Sequence, residues 1–227
     1  MIAVKNLTMQ YPNGKGIFDI DFTVKQGTCI GFLGPNGAGK STTIRCILGF
    51  MKGQTGEAFI DGKECFENAS DNMIEVGYIA GEPAFPDGMT GTEYLKLLID
   101  IRGNKPEMME RMNELIEYFE LDATTKIKRM SKGMKQKTAI IAAFMHDPKV
   151  LILDEPSSGL DFLMQDKFIK LVIDERKKGK TILLSSHIFE EVERTCDDVI
   201  IVKDGRIVAR KPAKGLTLQG VLKNYYE

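Results

Sequence analysis

The chain has 227 residues, of which 43% are hydrophobic and 28% are charged, which is enough for one large α/β domain with a sizeable core. Its 31 basic and 32 acidic residues nearly cancel, so the chain lacks the basic excess typical of duplex-binding proteins, and we expect no nucleic-acid partner. The longest apolar run, residues 139–145, is far too short to cross a bilayer.

The N-terminus and the cysteines both indicate a cytosolic chain. The first residues, MIAVKNLTMQY, lack the basic start and the apolar stretch of a signal peptide. The scattered cysteines include no CxxC pair, which favours reduced thiols over a disulfide framework or a metal site. These cysteines are Cys29, Cys46, Cys65 and Cys196.

The N-terminal part mixes an antiparallel β portion with a strand–loop–helix unit. Apolar residues alternate over residues 18–24 and predict a strand, and the apolar residues 28–33 predict a second strand that runs into a glycine-rich loop. A helix is predicted over residues 41–50. The Asp61-Gly62 pair predicts a hairpin turn.

Residues 89–147 are predicted to be helical. Apolar side chains recur at helical spacing from Met109 to Phe119, and this methionine-rich stripe is interpreted as core packing. Pro148 is expected to end a helix that begins near Lys132. Beyond it, the runs in KVLILDEP and GKTILLSSH predict two buried parallel strands, and DDVIIVKDGRIVAR predicts a second Asp-Gly hairpin.

The segment GPNGAGKST, residues 34–42, fits the phosphate-binding pattern G-x-x-x-x-G-K-[ST] between a predicted strand and a predicted helix. Glycines let backbone N–H groups crowd around phosphate oxygens, and a helix N-terminus favours an anion. We expect Lys40 to bridge the β- and γ-phosphates and Ser41 to offer its hydroxyl to Mg²⁺. The flanking strand and helix disfavour the alternative of a flexible glycine turn with a chance lysine.

The pair of acids in KVLILDEP is a second indication of a phosphate-binding site. A buried strand delivers Asp154 to its carboxyl end, where parallel α/β sheets bind ligands. We expect Asp154 to hold Mg²⁺ and Glu155 to polarise the attacking water. Two acids at a strand end could instead form a solvated turn, and the phosphate loop favours the chemical interpretation. The sequence thus predicts an α/β fold with a P-loop NTPase core and a parallel sheet, an N-terminal antiparallel β subdomain and an inserted helical subdomain.

The segment MSKGMKQK, residues 130–137, predicts a second anion site. Ser131 is a predicted N-cap, Gly133 lies in the first turn of the helix, and basic side chains surround them. By itself the segment is interpreted more simply as an ordinary capped helix. A GTPase would need the base-reading motif Asn-Lys-x-Asp, but residues 104–107, the nearest match, end in Glu. They also directly follow residues 100–103, which imitate another GTPase motif, whereas the two motifs lie on separate strands in a GTPase. A GTPase is therefore disfavoured.

The order of these motifs resembles the nucleotide-binding subunit of an ABC transporter over nearly the whole chain. Residues 34–42 match the Walker A loop, residues 150–155 match Walker B with its catalytic glutamate, and residues 158–161 resemble the D-loop. Residues 130–134 occupy the place of the signature sequence. His187 stands at the position of the family's switch histidine.

The resemblance implies one ABC-type ATPase domain over residues 1–227, with a nucleotide core at about 1–86 and 148–227 and a helical subdomain at about 87–147. It implies ATP and Mg²⁺ as cofactors, and catalytic roles for Lys40, Glu155 and His187. Tyr11 resembles the aromatic residue that stacks on adenine, the alternative being a core ring of the β subdomain. The residues expected to bind ATP are Tyr11, Asn36, Gly37, Ala38, Gly39, Lys40, Ser41 and Thr42 from one chain and Ser131 and Gly133 from its partner.

Two departures from the family pattern stand out. The signature segment carries Lys132 and Met134 where the family usually has Gly and Gln. The family's Q-loop glutamine should follow VGYIA, but Gly81 stands there with Glu82 next to it. We expect Glu82 to take over part of the contact with Mg²⁺ or water, beside the metal ligands Ser41 and Asp154.

The resemblance further implies a motor subunit that pairs head to tail with a second copy or a homologous ATPase subunit around two MgATP. Separate transmembrane permease subunits would supply the transport path, and the chain would lie on the cytoplasmic face of the membrane. The segments SKGMKQK and DEPSSGLD look like those of bacterial export-type subunits. Two alternatives, a soluble ABC ATPase acting on ribosomes or DNA and a metabolic P-loop kinase, fit less of the sequence.

Overall fold

The computed structural model describes residues 1–216 together with Gly220, Val221 and Tyr225. The strands in this part of the chain are β1 Ile2–Gln10, β2 Gly16–Val24, β3 Cys29–Leu33, β4 Thr55–Ile60, β5 Lys63–Glu64, β6 Val76–Ile79, β7 Val150–Asp154, β8 Thr181–Ser185, β9 Asp198–Lys203 and β10 Arg206–Pro212. The helices are α1 Lys40–Ile47, α2 Ala69–Ile74, α3 Gly91–Ile101, α4 Pro106–Tyr118, α5 Lys132–Phe144, α6 Phe162–Lys177 and α7 Phe189–Thr195.

Within the described residues the strands form a smaller and a larger sheet. The smaller sheet is antiparallel, with the strand order β2-β1-β4-β5. The larger sheet has the order β10-β9-β3-β8-β7-β6 and is parallel except for β10, which runs antiparallel to β9. This architecture confirms the predicted α/β class with a parallel core sheet and an N-terminal antiparallel sheet.

The larger sheet lies between two hydrophobic layers. Leu151 and Leu153 of β7 face the helices and share a core with Phe144 of α5 and Phe168 of α6. The alternate residue Ile152 faces the opposite layer, which contains α1 and the smaller sheet. Strands buried on both faces read as continuous apolar runs, which is why β3, β7 and β8 were recognisable from the sequence.

The helical stretch behaves largely as predicted. α3, α4 and α5 follow one another between β6 and β7, and Met112, Leu115 and Phe119 are buried in the core. α5 begins at Lys132 as expected, but it ends at Phe144, before Pro148. α1 is also shorter than predicted, because Gly49 has a φ of 74° just after its C-cap.

The predicted strand is present as β2, but its alternation is broken at Phe18. A bulge at Asp19, whose φ is 53°, adds one residue between the pairs Leu7–Ile20 and Met9–Ile17. Ile17 is therefore buried, whereas Phe18 is only half-buried. The two Asp-Gly hairpins are confirmed, since both residues of each pair have a positive φ, as type I′ turns require.

The cysteines in the structure are buried free thiols, in agreement with the prediction of reduced residues. None of the helices in the described part of the chain is both long and apolar enough to span a bilayer.

Candidate functional site

The parallel strands bring the loops that follow them to one edge of the larger sheet. β3, β6, β7 and β8 run in the same direction, so the residues after their carboxyl ends lie near one another. These residues are the loop 34–39 after β3, Gly81 and Glu82 after β6, Glu155 after β7 and His187 after β8. The sheet order therefore gathers most of the predicted site from distant parts of the sequence.

The glycines of the loop 34–39 meet two different needs. Gly37 and Gly39 have φ angles of 83° and 105°, which L side chains rarely adopt. A Cβ on Gly39 would lie 2.7 Å from Cγ2 of Ile17, whereas a Cβ on Gly37 would meet nothing within 4 Å. No side chain caps the first turn of α1, so its orphan amides are available to an anion.

Lys40 is held inside this loop. Its side chain is 7% exposed, and its Nζ donates hydrogen bonds to the carbonyl oxygens of Gly34 at 2.6 Å and Pro35 at 3.3 Å. Burial lowers the pKa of Lys40, and the nearby carboxylates of Glu155 and Asp154 oppose that shift. The loop thus carries a pre-positioned ammonium group in a partly desolvated place.

The metal-binding prediction for Ser41 and Asp154 fits the geometry. The Ser41 hydroxyl donates to Oδ2 of Asp154 at 2.7 Å, and Asp154 is 4% exposed. The other carboxylate oxygen, Oδ1, is buried without a hydrogen-bond partner. A hydroxyl and a carboxylate with a free oxygen are ligands that Mg²⁺ prefers. A bound cation would also satisfy the orphan oxygen.

Glu155 and His187 form a pair across neighbouring strand ends. Nδ1 of His187 contacts Oε2 of Glu155 at hydrogen-bonding distance. The backbone N–H of Glu155 donates to the Ser185 carbonyl at 2.8 Å, which fixes the end of β7 to the end of β8. Glu155 has a φ of 48°, a costly conformation for a residue with a side chain, and the surrounding contacts must hold it.

The predicted nucleotide-binding residues of one chain line a single cleft of about 620 Å³. Residues 36–42, Tyr11, Asp154 and Glu155 all contribute to its walls. The Tyr11 hydroxyl lies 3.4 Å from Oγ1 of Thr42, so the ring stands beside the phosphate loop. The cleft therefore combines an aromatic ring with cationic, hydroxyl and carboxylate groups.

The structure does not bring Glu82 to this cleft. Glu82 is exposed, is not among the cleft-lining residues, and makes none of the hydrogen bonds or ion pairs found in the described residues. Its neighbour Gly81 faces Asp154 instead, because a Cβ on Gly81 would lie 3.7 Å from Oδ2 of Asp154. The role of Glu82 in place of the missing glutamine stays a prediction.

Ser131 and Gly133 also lie outside the cleft. Ser131 is the predicted N-cap of α5, and its Oγ accepts a hydrogen bond from the backbone N–H of Met134 at 3.2 Å. Ser131 is exposed and Gly133 is half-buried, so this helix start faces solvent in a single chain. The two predicted anion-binding features thus do not form one site within a single chain.

Sequence reasoning missed part of the cleft wall. Arg45 lines it because it lies four residues after Ser41, on the same face of α1. Asn13 and Lys15 line it from the turn that follows Tyr11. Helical spacing could have identified Arg45, whereas the turn residues depend on how the smaller sheet packs against α1.

Comparison with known proteins agrees with this geometry. The sequence model of the ABC transporter family matches residues 17–158. The chain is 33% identical over 217 residues to the ABC transporter ATP-binding protein NatA of Bacillus subtilis (strain 168), covering 94% of this chain and 85% of NatA. It is 35% identical to the bacitracin transport ATP-binding protein BcrA of Bacillus licheniformis, over 93% of this chain and 70% of BcrA.

A solved structure of an ATP-binding subunit of an ABC transporter superposes with a TM-score of 0.92 at 31% identity, covering 100% of both chains. The segment that the family model matches includes the phosphate loop and both acids, Asp154 and Glu155, which are parts that a nucleoside triphosphatase needs. This chain belongs to the ABC transporter family as an ATP-binding subunit, an ATPase whose cofactors are ATP and Mg²⁺.

Proposed function

We propose that this chain is the motor subunit of an exporter. It would pair head to tail with a second copy of itself or a homologous ATPase subunit, around two MgATP. The observation that carries this proposal is the separation described above, because Ser131 and Gly133 lie outside the cleft that contains Lys40 and Asp154. A second chain packed head to tail would bring its helix start to this cleft and complete the site.

Each cleft residue has a role that follows from its position. Lys40 and the amides of residues 36–41 bind the phosphates, and Tyr11 stacks on the adenine. Ser41 and Asp154 hold Mg²⁺, which when bound neutralises phosphate charge. In-line attack on the γ-phosphate then depends mainly on positioning and electrostatics.

Glu155 orients and polarises the attacking water. Its side chain lines the cleft, is 22% exposed and lies within hydrogen-bonding distance of His187. His187 is 68% exposed and contacts the γ-phosphate in the closed dimer, while its contact with Glu155 aligns the carboxylate. Ser131 and Gly133 of the partner close the site.

The proposed chain divides into a nucleotide core and an inserted helical subdomain. Residues 87–147, which include α3, α4 and α5, form a helical subdomain inserted into the nucleotide core at 1–86 and 148–227. α5 places the signature segment at one end of this insertion, so a movement of the insertion displaces the helix start that meets the partner's nucleotide.

The transport path belongs to separate membrane subunits. The family membership of the chain and the transport function in the name of BcrA support a partner of this kind. The chain would then lie on the cytoplasmic face of the membrane. Export is favoured by the resemblance of SKGMKQK and DEPSSGLD to export-type subunits.

Affinity purification of the tagged chain from gently solubilised cells tests this function. We expect a polytopic membrane protein in near-stoichiometric yield, and its sequence would narrow the range of cargo. Recovery of ribosomes or nucleic acid without a membrane protein would contradict the motor function and favour a soluble ABC ATPase instead.

A further inference from the structure

The first two turns of α5 form hydrogen bonds with the loop that follows Glu155. Nε2 of Gln136 donates a hydrogen bond of 2.6 Å to the carbonyl oxygen of Pro156, and Gln136 is only 2% exposed. One turn earlier, Nζ of Lys132 donates to Oγ of Ser158 at 3.0 Å. Residues 132 and 136 are four apart, so both side chains extend from the same face of the helix.

Two glycines allow the helix and the loop to approach closely. A Cβ on Gly133 would lie 2.9 Å from the carbonyl oxygen of Gly159. A Cβ on Gly159 would lie 2.9 Å from the side-chain carbons of Lys132, and Gly159 has a φ of 84°. Larger residues would force the helix and the loop apart, so residues 156–159 fit closely against the start of α5.

The backbone of Glu155 needs such support. Its φ of 48° is a conformation that persists only when the surroundings hold it. Its own N–H is held by Ser185 and its carbonyl accepts from the N–H of Ser158 at 3.1 Å. Gln136 holds the very next carbonyl, and it does so from a buried position where loss of the donor would leave Pro156 without its partner.

From this contact we infer that Gln136 is a positioning residue for Glu155, and that the start of α5 and the loop 156–159 move as one unit. The inference rests on the proposed head-to-tail dimer. In that dimer Ser131 and Gly133 meet the partner's nucleotide, while Glu155 serves the chain's own nucleotide. Nucleotide bound by the partner would thus set the position of Glu155 through Gln136.

Replacement of Gln136 by Met tests the hydrogen bond while keeping the length of the side chain. We expect kcat for ATP hydrolysis to fall about tenfold, because a small displacement of a group that orients water is costly. The affinity of the monomer for a fluorescent ATP analogue should stay within about twofold, since Gln136 does not line the cleft. An unchanged kcat, or a fall in affinity that matches the fall in kcat, would overturn the inference.

Gln165→Met is the matched control. Nε2 of Gln165 also donates to a loop carbonyl, that of Leu160 at 3.1 Å, but it does so from α6 and so makes no link to α5. We expect this variant to keep kcat within about twofold of the wild type. A loss equal to that of Gln136→Met would show that general loosening of the loop explains both effects, and the inference would fail.

Gln136→Glu adds a measurement, the pH dependence of kcat, that a role of Gln136 in packing alone would not change. A protonated carboxyl can donate to the Pro156 carbonyl as the amide does, whereas a carboxylate would face that carbonyl with like charge. The ratio of the variant's kcat to the wild-type kcat should therefore fall as pH rises. Taking the ratio cancels the pH dependence that the two proteins share, and a ratio that does not change with pH would count against the hydrogen bond.

Dimerisation measured in the Glu155→Gln background distinguishes failure of this inference from failure of the proposed dimer. We expect the double variant Glu155→Gln, Gln136→Met to form an ATP-dependent dimer as the single variant Glu155→Gln does, because Gln136 acts on the water-orienting group and not on assembly. If only the double variant fails to dimerise, the positioning role is wrong. If Glu155→Gln alone fails to dimerise while Gln136→Met still lowers kcat selectively, the proposed dimer and the link to the partner's nucleotide are wrong, whereas the positioning of Glu155 through the Pro156 carbonyl stands.

Discussion

Ser41 and Asp154 lie 113 residues apart in the sequence, and the Ser41 hydroxyl donates a hydrogen bond of 2.7 Å to the Asp154 carboxylate. β8 lies between the strands that lead to these two residues, so their contact reaches across a neighbouring strand end. One Asp154 oxygen is occupied by the serine and the other has no partner in the described structure. Only half of the hydrogen-bonding capacity of the Asp154 carboxylate is therefore used by protein groups in the described structure.

Replacing Asp154 with Asn should abolish most of the Mg²⁺-dependent activity. The amide keeps the shape of the side chain but removes the charge that holds a divalent cation, so we expect hydrolysis to fall at least about 100-fold. The check is ATPase activity as a function of free Mg²⁺ at constant ATP. Asp122→Asn, in an exposed turn, is the control, and an identical Mg²⁺ curve for Asp154→Asn and the wild type would contradict the metal assignment.

Replacing Lys40 with Ala should weaken nucleotide binding at least about tenfold, because the pre-positioned ammonium supplies charge-assisted bonds to phosphate. Equilibrium titration with a fluorescent ATP analogue measures this loss. Lys63→Ala removes an exposed lysine from β5 and should bind as the wild type does. Unchanged affinity in Lys40→Ala would show that the loop does not hold phosphate through this side chain.

Glu155→Gln should bind MgATP, hydrolyse it at least about 100-fold more slowly, and accumulate as a closed dimer. The amide cannot polarise water as the carboxylate does, whereas its size leaves the cleft unchanged. Phosphate release and light scattering, each with ATP and with ADP, measure the two effects. Turnover equal to that of the wild type would exclude Glu155 as the group that polarises water.

Gly39→Ala should lower the free energy of unfolding by about 3 kcal/mol, because it combines an unfavourable φ with a clash. The added Cβ would lie 2.7 Å from Ile17. Gly62→Ala has a φ of 82° but open space around the new Cβ, so we expect a cost of about 1 kcal/mol. Urea denaturation of both variants gives the comparison, and equal costs would show that the contact with Ile17 relaxes freely.

Glu191→Gln should stabilise the protein at alkaline pH. Burial raises the pKa of the Glu191 carboxyl from 4.5 to about 7, with the Ser186 and Ser157 hydroxyls opposing the shift. The folded state therefore favours the protonated form, whose stabilising contribution is complete below pH 4.5 and is lost as pH rises through about 7. We expect that pH dependence, about 3 kcal/mol in all, to disappear in Glu191→Gln. Thermal unfolding from pH 5 to 8 measures the difference, and parallel curves for the two proteins would refute it.

Local chemistry made much of the nucleotide cleft predictable. The phosphate loop is recognisable because its glycines, lysine and hydroxyl must stand at fixed spacing between a strand and a helix. The acids Asp154 and Glu155 were recognisable because a buried parallel strand ends in carboxylates. The Asp-Gly hairpins were predictable because their turn type demands positive φ at both residues.

Features that depend on long-range packing were not predictable. β1 pairs with both β2 and β4, and no local pattern states which strands will be its neighbours. The bulge at Asp19 reverses the face of Phe18, and a strict period of two cannot anticipate an inserted residue. The contact between Gln136 and Pro156 joins a helix to a loop that meet only after the sheet has assembled.

The missing side chain at Gly81 limits the ligands that are available beside Asp154. Its backbone lacks a positive φ, and a Cβ there would meet Asp154 only at ordinary contact distance, so a longer side chain would fit. With hydrogen in that place, residue 81 itself offers no side-chain ligand, and a bound Mg²⁺ would take water or another donor on that side. At position 81 the backbone approaches Asp154 without offering a side-chain donor, so the segment between β6 and α3 contacts this carboxylate differently from a segment with a longer residue there.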